Sequence, residues 1–428
     1  MDTLITGARL LDPANNVDIH ADVLVSGERI VAIGYNLPFV GNNCIDARDK
    51  VLIPGLVDIH VHLREPGREH KETILSGGRA AAAGGYTAVC AMPNTWPPLD
   101  NAEILRYFAG KANHAPVRCY PIATITKGQR GQELTPVLDL MAAGAVAFSD
   151  DGEPVSEAVV FREALQHSRT HHLPVIAHCE DKKLSALGVM HEGAHSAKLA
   201  LRGIPAAAEE SMVARDLELA KETGGRLHIA HVSTALSIQM IREAKTSGIP
   251  VTCEVTPHHL LLTDEFVTPT DTNSKMNPPL RTAHDVHALR LALKDKVIDC
   301  IATDHAPHHA DEKALPYQDA PFGIVGLETA LPLLITHLVN TGVLALPELV
   351  QLMSSKPAGI LNLPRGEIVP GGLADLTLID LHGVKTVTPG NFYSLGQNTP
   401  FAGLTLWGWP VMTMVNGKIV MRDGVVYE

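Results

Sequence analysis

One unit recurs along most of this chain. A short β-branched or apolar run ends in polar residues and gives way to a helix-like stretch. The runs are GLVDIHVH, YTAVCAMPN, VRCYPIATIT, AVAFSDD, LPVIAHCE, RLHIAHVST, PVTCEVTPHH and IDCIATDHAPH, eight in all. Segments between them, such as AAEESMVARDLELAKETG and TALSIQMIREAKTSG, carry apolar residues at i, i+3, i+4 spacing and end at glycine, which predicts helices. Strands alternating with helices pair in parallel, and they read as continuous hydrophobic runs because helices cover them. Eight such units predict an α/β fold, a (β/α)8 TIM-like barrel over residues 55–365. A doubly wound open sheet is the competitor, but it would usually carry a Gly-rich phosphate turn after an early strand, and none is present.

The two ends have a different texture. VDIHADVLVSGERIVAIG alternates around a Ser26-Gly27 turn, and VMTMV and KIVMR flank Asn416-Gly417, the strongest short-range hairpin signal. Residues 1–54 plus 366–428 are therefore expected to form one small β-sandwich domain built from both termini, with the barrel inserted between its halves.

Composition removes several classes of function. Lys+Arg 35 against Asp+Glu 47 gives a net charge of −12, and aromatics are only 4 %. A nucleic-acid binder wants a basic stripe and stacking rings, so no nucleic-acid partner is expected. The longest apolar stretch, Leu331 to Leu346, is interrupted by Pro332, His337, Asn340 and Gly342 and falls short of the ~20 residues a spanning helix needs. MDTLITGARLLDP has no basic region before an apolar run, so no signal peptide is expected. The six cysteines are widely spaced without a CxxC, which fits reduced thiols in a cytoplasmic protein.

Histidine is the unusual count, at 22, and several histidines stand where the runs end. In a barrel those carboxyl ends meet at one mouth, where catalytic groups belong. His60, His62 and Arg64 alternate with Val61 and Leu63, so an extended strand projects all three to one side, the imidazoles about 7 Å apart at Cα. Two neutral imidazoles at that spacing can close on a borderline metal such as zinc. The fifth run adds His178, the sixth His231 and the eighth Asp304, while the fourth ends in Asp150 and Asp151. Singly, each has an ordinary explanation as a satisfied core group. As a set at matching positions of repeated units, they do not. Six ligands exceed one open tetrahedral site and suit two metals sharing an anionic bridge and a hydroxide position. The bridge must come from the fourth run, and spacing leaves Asp150 and Asp151 equally eligible.

Over essentially its whole length the chain resembles the dihydroorotases, of the bacterial class I type, among the cyclic amidohydrolases. The motifs are VLIPGLVDIHVHLREPG (51–67), AMPNT (91–95), AFSDDG (147–152), AHCED (177–181), HEGAHSAKLALRGIPAAAEE (191–210), HVST (231–234), CEVTPHHL (253–260), KMNPPLR (275–281), TDHAPH (303–308) and FGIVGLET (322–329). HLREPG with MNPPLR and TDHAPH is the specific combination. The resemblance implies two zinc ions per subunit: His60, His62 and Asp304 on one, His178 and His231 on the other, with Asp151 and a hydroxide as bridge and Asp150 in support. Many relatives bridge with a carboxylated lysine, and the fourth run has no lysine, as in the bacterial group that uses aspartate.

The implied reaction is the reversible cyclisation of N-carbamoyl-L-aspartate to L-dihydroorotate with loss of water, the third step of pyrimidine synthesis, Asp304 acting as general base and then general acid. Arg64, Asn94 and His308 match the residues that take the substrate carboxylate. Asn277 and the backbone at Phe322 and Gly323 match those that contact the ring. His305 and His309 read as supporting or surface groups, and His258 and His259 as structural. Residues 309–323, HADEKALPYQDAPFG, lack periodicity and suit a mobile lid near the mouth. A homodimer and a complex with aspartate transcarbamoylase are the expected assemblies. A hydantoinase or allantoinase is the nearest alternative, but it should lack the carboxylate clamp and usually carries the bridging lysine. An inactive scaffold subunit of aspartate transcarbamoylase would have lost ligands that this chain keeps.

Overall fold

The computed structural model describes residues 2–41 and 43–427. Each of the eight runs forms a strand: Leu56–Val61, Tyr86–Ala91, Arg118–Pro121, Phe148–Ser149, Val175–Ala177, Leu227–Ile229, Val251–Val255 and Cys300–Ile301. All of their mutual pairings are parallel, the first three strands in one sheet and the other five in a second. Single parallel bridges, Ala123 to Phe148 and Val61 to His305, join the two sheets at both seams. The fold is therefore mixed α/β with parallel sheets.

The helices follow from local sequence. Ala207–Thr223 puts Glu209 and Glu210 in its first turn, where negative charge suits the helix dipole, and Gly224 closes it at φ 68°. Thr234 starts Ala235–Thr246 by accepting the Ser237 N–H on its side chain. The apolar stretch after residue 330 is a short helix, Ala330–Leu334, continued as a π-helical turn, Ile335–Val339. No helix among the described residues is long and apolar enough to cross a membrane.

Both ends of the chain share one nine-stranded sheet. Leu376–Thr386 lies antiparallel to Val51–Pro54, which in turn runs parallel to Asp2–Asp12. Thr405–Val415 and Lys418–Arg422 form the anticipated hairpin, with Asn416 at φ 50° and Gly417 at φ 71°, the pair of positive values a tight hairpin turn needs. A Cβ on Gly417 would lie 1.9 Å from the Gly27 carbonyl oxygen, so the C-terminal hairpin turn presses on the N-terminal one. Ile5, Leu10, Val23, Val25, Leu376 and Met414 share one apolar cluster, which ties the two ends together.

Two features were not anticipated. Met190–His191 and Gly203–Ile204 form a small parallel pair at the two ends of residues 190–204. Residues 393–398 run against the carboxyl ends of the parallel strands, through bonds from Tyr393, Ser394 and Leu395 to Glu328 and Glu72.

Candidate metal centre

Asp151 lies at the middle of four imidazoles. Its Oδ1 is 3.5 Å from His60 Nε2, 3.4 Å from His178 Nδ1 and 3.7 Å from His231 Nε2, and its Oδ2 is 3.5 Å from His62 Nε2. Asp304 Oδ1 closes the group from the other side, 3.1 Å from His62 Nε2 and 3.6 Å from His60 Nε2. None of the six residues is more than 7 % exposed. The ligand atoms fall into two sets sharing Asp151, namely His60, His62 and Asp151, and Asp151, His178 and His231, each set within 4.8 Å.

These residues fit a pair of cations on chemical grounds. His60 Nε2 and Asp151 Oδ1 are buried without a hydrogen-bond partner, a cost of ~1–3 kcal/mol for each such group. Two imidazole nitrogens, His178 Nδ1 and His231 Nε2, face each other at 2.9 Å. Imidazole and carboxylate together suit a borderline divalent metal.

The remaining ring nitrogens are held from outside. His60 Nδ1 is 2.5 Å from Glu254 Oε1, His62 Nδ1 is 2.9 Å from Asn94 Oδ1, and His178 Nε2 is 3.1 Å from Glu180 Oε2. Glu254, wholly buried, also accepts the His231 N–H at 3.2 Å and lies 3.1 Å from His228 Nε2. Such outer partners fix ring orientation and so aim the inner nitrogens. Sequence reading missed both acids. Their signals were a Glu inside the otherwise apolar strand VTCEV and a Glu two residues beyond His178.

Asp150 is engaged elsewhere. It accepts the N–H groups of Ile125 and Thr126 at 2.8 and 3.2 Å, and the Thr126 hydroxyl, and burial pushes its carboxyl up to about 6. Of the two candidate acids, Asp151 alone meets the imidazoles. Burial opposes the Asp151 charge, yet His60, His178 and His231 hold it well below the usual carboxylate range. Burial likewise opposes a proton on His178, and Asp151 and Glu180 override it to lift the ring to about 9.

The expected substrate residues divide into two groups. Arg64 donates from Nε to the Pro307 carbonyl at 3.2 Å and its Nη2 lies 3.3 Å from His308 Nε2, which is itself 2.8 Å from the Phe322 carbonyl. Gly323 N–H donates to the Lys275 carbonyl at 2.9 Å. Burial lowers Arg64 to about 10, so it keeps its charge at neutral pH. Asn94 and Asn277 lie beside the ligands: Asn94 Nδ2 faces Asp151 Oδ2 at 3.4 Å, and Asn277 donates to Glu180 at 3.0 Å.

Residues 309–323 offer several backbone carbonyls to two buried lysines. The buried Lys275 ammonium donates to the carbonyls of Tyr317, Gln318 and Ala320 at 2.7, 3.0 and 2.6 Å, satisfying all three of its donors. Lys313 holds the carbonyls of Pro321 and Gly323 at 3.0 and 3.1 Å. The expectation of a mobile lid rested on mixed composition, which does not reveal these contacts. His305 is buried beside Glu72, and His309 is exposed, capping a short helix, Ala310–Lys313. His259 bonds with Thr256 and the Pro278 carbonyl, while His258, also buried, leaves Nε2 without a partner.

Known proteins are similar to this chain in sequence and in fold. A family model described as dihydro-orotase-like matches residues 49–237. The chain is similar to a dihydroorotase of Pelotomaculum thermopropionicum, 51 % identical over 426 residues and 100 % of both chains. It is also similar to one of Syntrophus aciditrophicus, 47 % identical over 99 % of this chain and 100 % of that one. Among solved structures, an L-hydantoinase (dihydropyrimidinase) from Arthrobacter aurescens superposes with a TM-score of 0.90 at 28 % identity, covering 100 % of this chain and 97 % of that one. A dihydropyrimidinase from Brevibacillus agri, at 23 % identity and a TM-score of 0.87 over 100 % of this chain and 96 % of that one, shares the fold.

Proposed function

The chain belongs to the dihydroorotase family, and from that premise we propose that it interconverts N-carbamoyl-L-aspartate and L-dihydroorotate, the third step of pyrimidine synthesis, with two zinc ions. The observation that carries the reading is one carboxylate, Asp151, ringed by four imidazoles within 3.7 Å, with a buried arginine nearby to take an acidic substrate. His60, His62 and Asp304 would hold one ion, His178 and His231 the other, and Asp151 both. When bound, the metals supply Lewis acidity to the attacking water and the ring carbonyl.

The chain's own groups do the rest. Asp304 takes a proton from the attacking water and delivers it to the departing ring nitrogen, general base and then general acid. An ionised carboxylate suits the first of these two transfers, and although burial works against the charge, His62 and His60 hold the carboxyl low. Arg64, with His308 and Asn94, receives the substrate carboxylate, for which a guanidinium fork is matched. Asn277 and the backbone at Phe322 and Gly323 orient the ring.

The parallel strands, bridged at both seams, support a (β/α)8 barrel over residues 55–365. The shared terminal sheet, with its own apolar cluster, supports a small sandwich domain from 1–54 plus 366–428. Six cysteines without a disulfide support a cytoplasmic setting. A homodimer, and docking to aspartate transcarbamoylase, extend the same reading; light scattering with and without transcarbamoylase tests both.

The functional test is turnover of dihydroorotate against dihydrouracil and allantoin, with zinc removed and restored. Preference for dihydroorotate, lost on chelation and regained with zinc, is expected. Preference for an uncharged ring would overturn the assignment in favour of a hydantoinase-type activity.

A further inference from the structure

Asn398 lies on the C-terminal side of the chain, in the segment allotted to the terminal β domain, yet it is 4 % exposed and packed against the site. Its Oδ1 accepts the His308 N–H at 3.1 Å, and its Nδ2 donates to the carbonyls of Ala306 and Gly323 at 3.1 and 3.0 Å. Its own carbonyl accepts the Val325 N–H at 2.9 Å. Both donors and the acceptor of the side-chain amide are thus in use, and they join two stretches of backbone, one before His308 and one after Phe322.

The approach to this position is equally fixed. Tyr393 and Ser394 donate backbone N–H groups to Glu328 at 3.0 and 3.1 Å, and Leu395 donates to Glu72 at 3.2 Å. Gly396 sits so close to Pro307 that a Cβ there would come within 2.6 Å of the proline Cβ. That same proline carbonyl receives Arg64 Nε. Residues 393–398 therefore form a strap that bears directly on the segments of His308 and Gly323 and reaches Arg64 through Pro307.

We propose that Asn398 is a positioning residue for substrate recognition: its amide sets the spacing between His308 and the Phe322–Gly323 backbone, and through Pro307 the aim of Arg64. The inference rests on the substrate assignment above. Only an amide meets the need. Aspartate would set a carboxylate oxygen against two carbonyls, and alanine would strip the His308 N–H and the Ala306 carbonyl of their partner and leave the Gly323 carbonyl to Lys313 alone.

The test uses the zinc-loaded enzyme with Asn398→Ala, Asn398→Asp and Gly396→Ala, reading kcat, KM for dihydroorotate and zinc content separately. A rise in KM of ~10-fold or more is expected, since misplacement of positioning groups by about an ångström carries losses of up to ~100-fold. Zinc content should stay at the wild-type value and kcat within a few-fold of it. Unchanged KM, or a joint fall of zinc content and kcat at constant KM, overturns the proposal. Should the Asn398 variants fail to fold, Gly396→Ala alone decides, because its Cβ would meet Pro307 at 2.6 Å and the Asn398 Oδ1 at 2.8 Å, and so displaces the amide without removing it. A wild type inert toward dihydroorotate removes the functional reading and this one together; an active wild type matched by its variants removes only this one.

Discussion

Glu254 offers the sharpest perturbation of the metal centre, because it touches ligands of both proposed ions while coordinating neither. It lies 2.5 Å from His60 Nδ1, accepts the His231 N–H at 3.2 Å and is 3.1 Å from His228 Nε2. Glu254→Gln keeps the shape, removes the charge and turns one oxygen into a donor. Its remaining oxygen can still face His60 and His231, so the loss that bears on a ligand ring is the charge-assisted part of the single His60 bond, the His231 bond being to backbone. A hydrogen bond to a charged group contributes ~1.5–3 kcal/mol against ~0.5–1.5 for a neutral one, leaving a deficit of roughly 1–1.5 kcal/mol. At about 1.4 kcal/mol per factor of ten, zinc affinity should fall about tenfold. That is the low end of the ~10–100-fold seen when an outer partner of a ligand is replaced. Glu254→Ala, which strands three groups at once, should reach the upper end. Competition against a chromophoric chelator reads the affinity directly, and the zinc-dependent rise in Tm reads it a second way. Affinity within twofold of wild type in both variants, with each still folded, would refute the idea that this carboxylate aims the ligands.

Three further outcomes are expected. Asp304→Asn should retain its metals while turnover falls by ~100-fold or more, the range for a lost general acid–base, whereas Arg64→Ala should chiefly raise KM for dihydroorotate; equal collapse of zinc content in both would reverse those roles. Burial pushes Glu328 up to about 8 despite the Ser394 and Tyr393 N–H donors, which pull the other way, so the folded chain keeps a proton that the unfolded chain releases near 4.5, and stability from this group is lost as pH rises between those values. Glu328→Gln has no proton to lose and can keep both bonds at one oxygen, so its Tm should gain on wild type as pH rises from about 5 to about 8; parallel melting curves would dismiss the linkage. Gly417→Ala should lower stability by ~1–3 kcal/mol, because it puts a Cβ into a left-handed turn and against the Gly27 carbonyl, and an unchanged Tm would show that the two hairpin turns do not depend on each other.

The parallel strands were legible because their signal is local: a run of β-branched residues, then a helix with its own cap or glycine stop. The Asn416-Gly417 hairpin was legible for the same reason. What stayed hidden depends on contacts between distant segments. Nothing in HADEKALPYQDAPFG announces that Lys275 and Lys313 will gather five of its carbonyls. Nothing near Asn398 announces that its amide will bind residues 306, 308 and 323. The choice between Asp150 and Asp151 was likewise open from spacing. It closes in three dimensions because the Ile125 and Thr126 amides claim the first.

Arg64 shows where strand periodicity misleads. Alternation along a strand put it on the side of His60 and His62, yet the strand ends at Val61 and Arg64 has φ 61°. The guanidinium reaches His308 through a backbone turn. His231 at φ 31° and Asp304 at φ 49° depart from extended geometry in the same way, each two or three residues past its strand. Left-handed conformations of non-glycine residues cost ~1–3 kcal/mol each and persist only where their surroundings impose them. Here the surroundings are visible: Glu254 takes the His231 N–H, and Asp58 takes the Thr303 N–H just before Asp304. Both acids lie within the parallel strands, one in the first and one in the seventh. The regular part of the fold thus supplies the carboxylates that hold the irregular part in shape, which is why a pattern of eight repeats could locate the site while leaving its fine geometry unread.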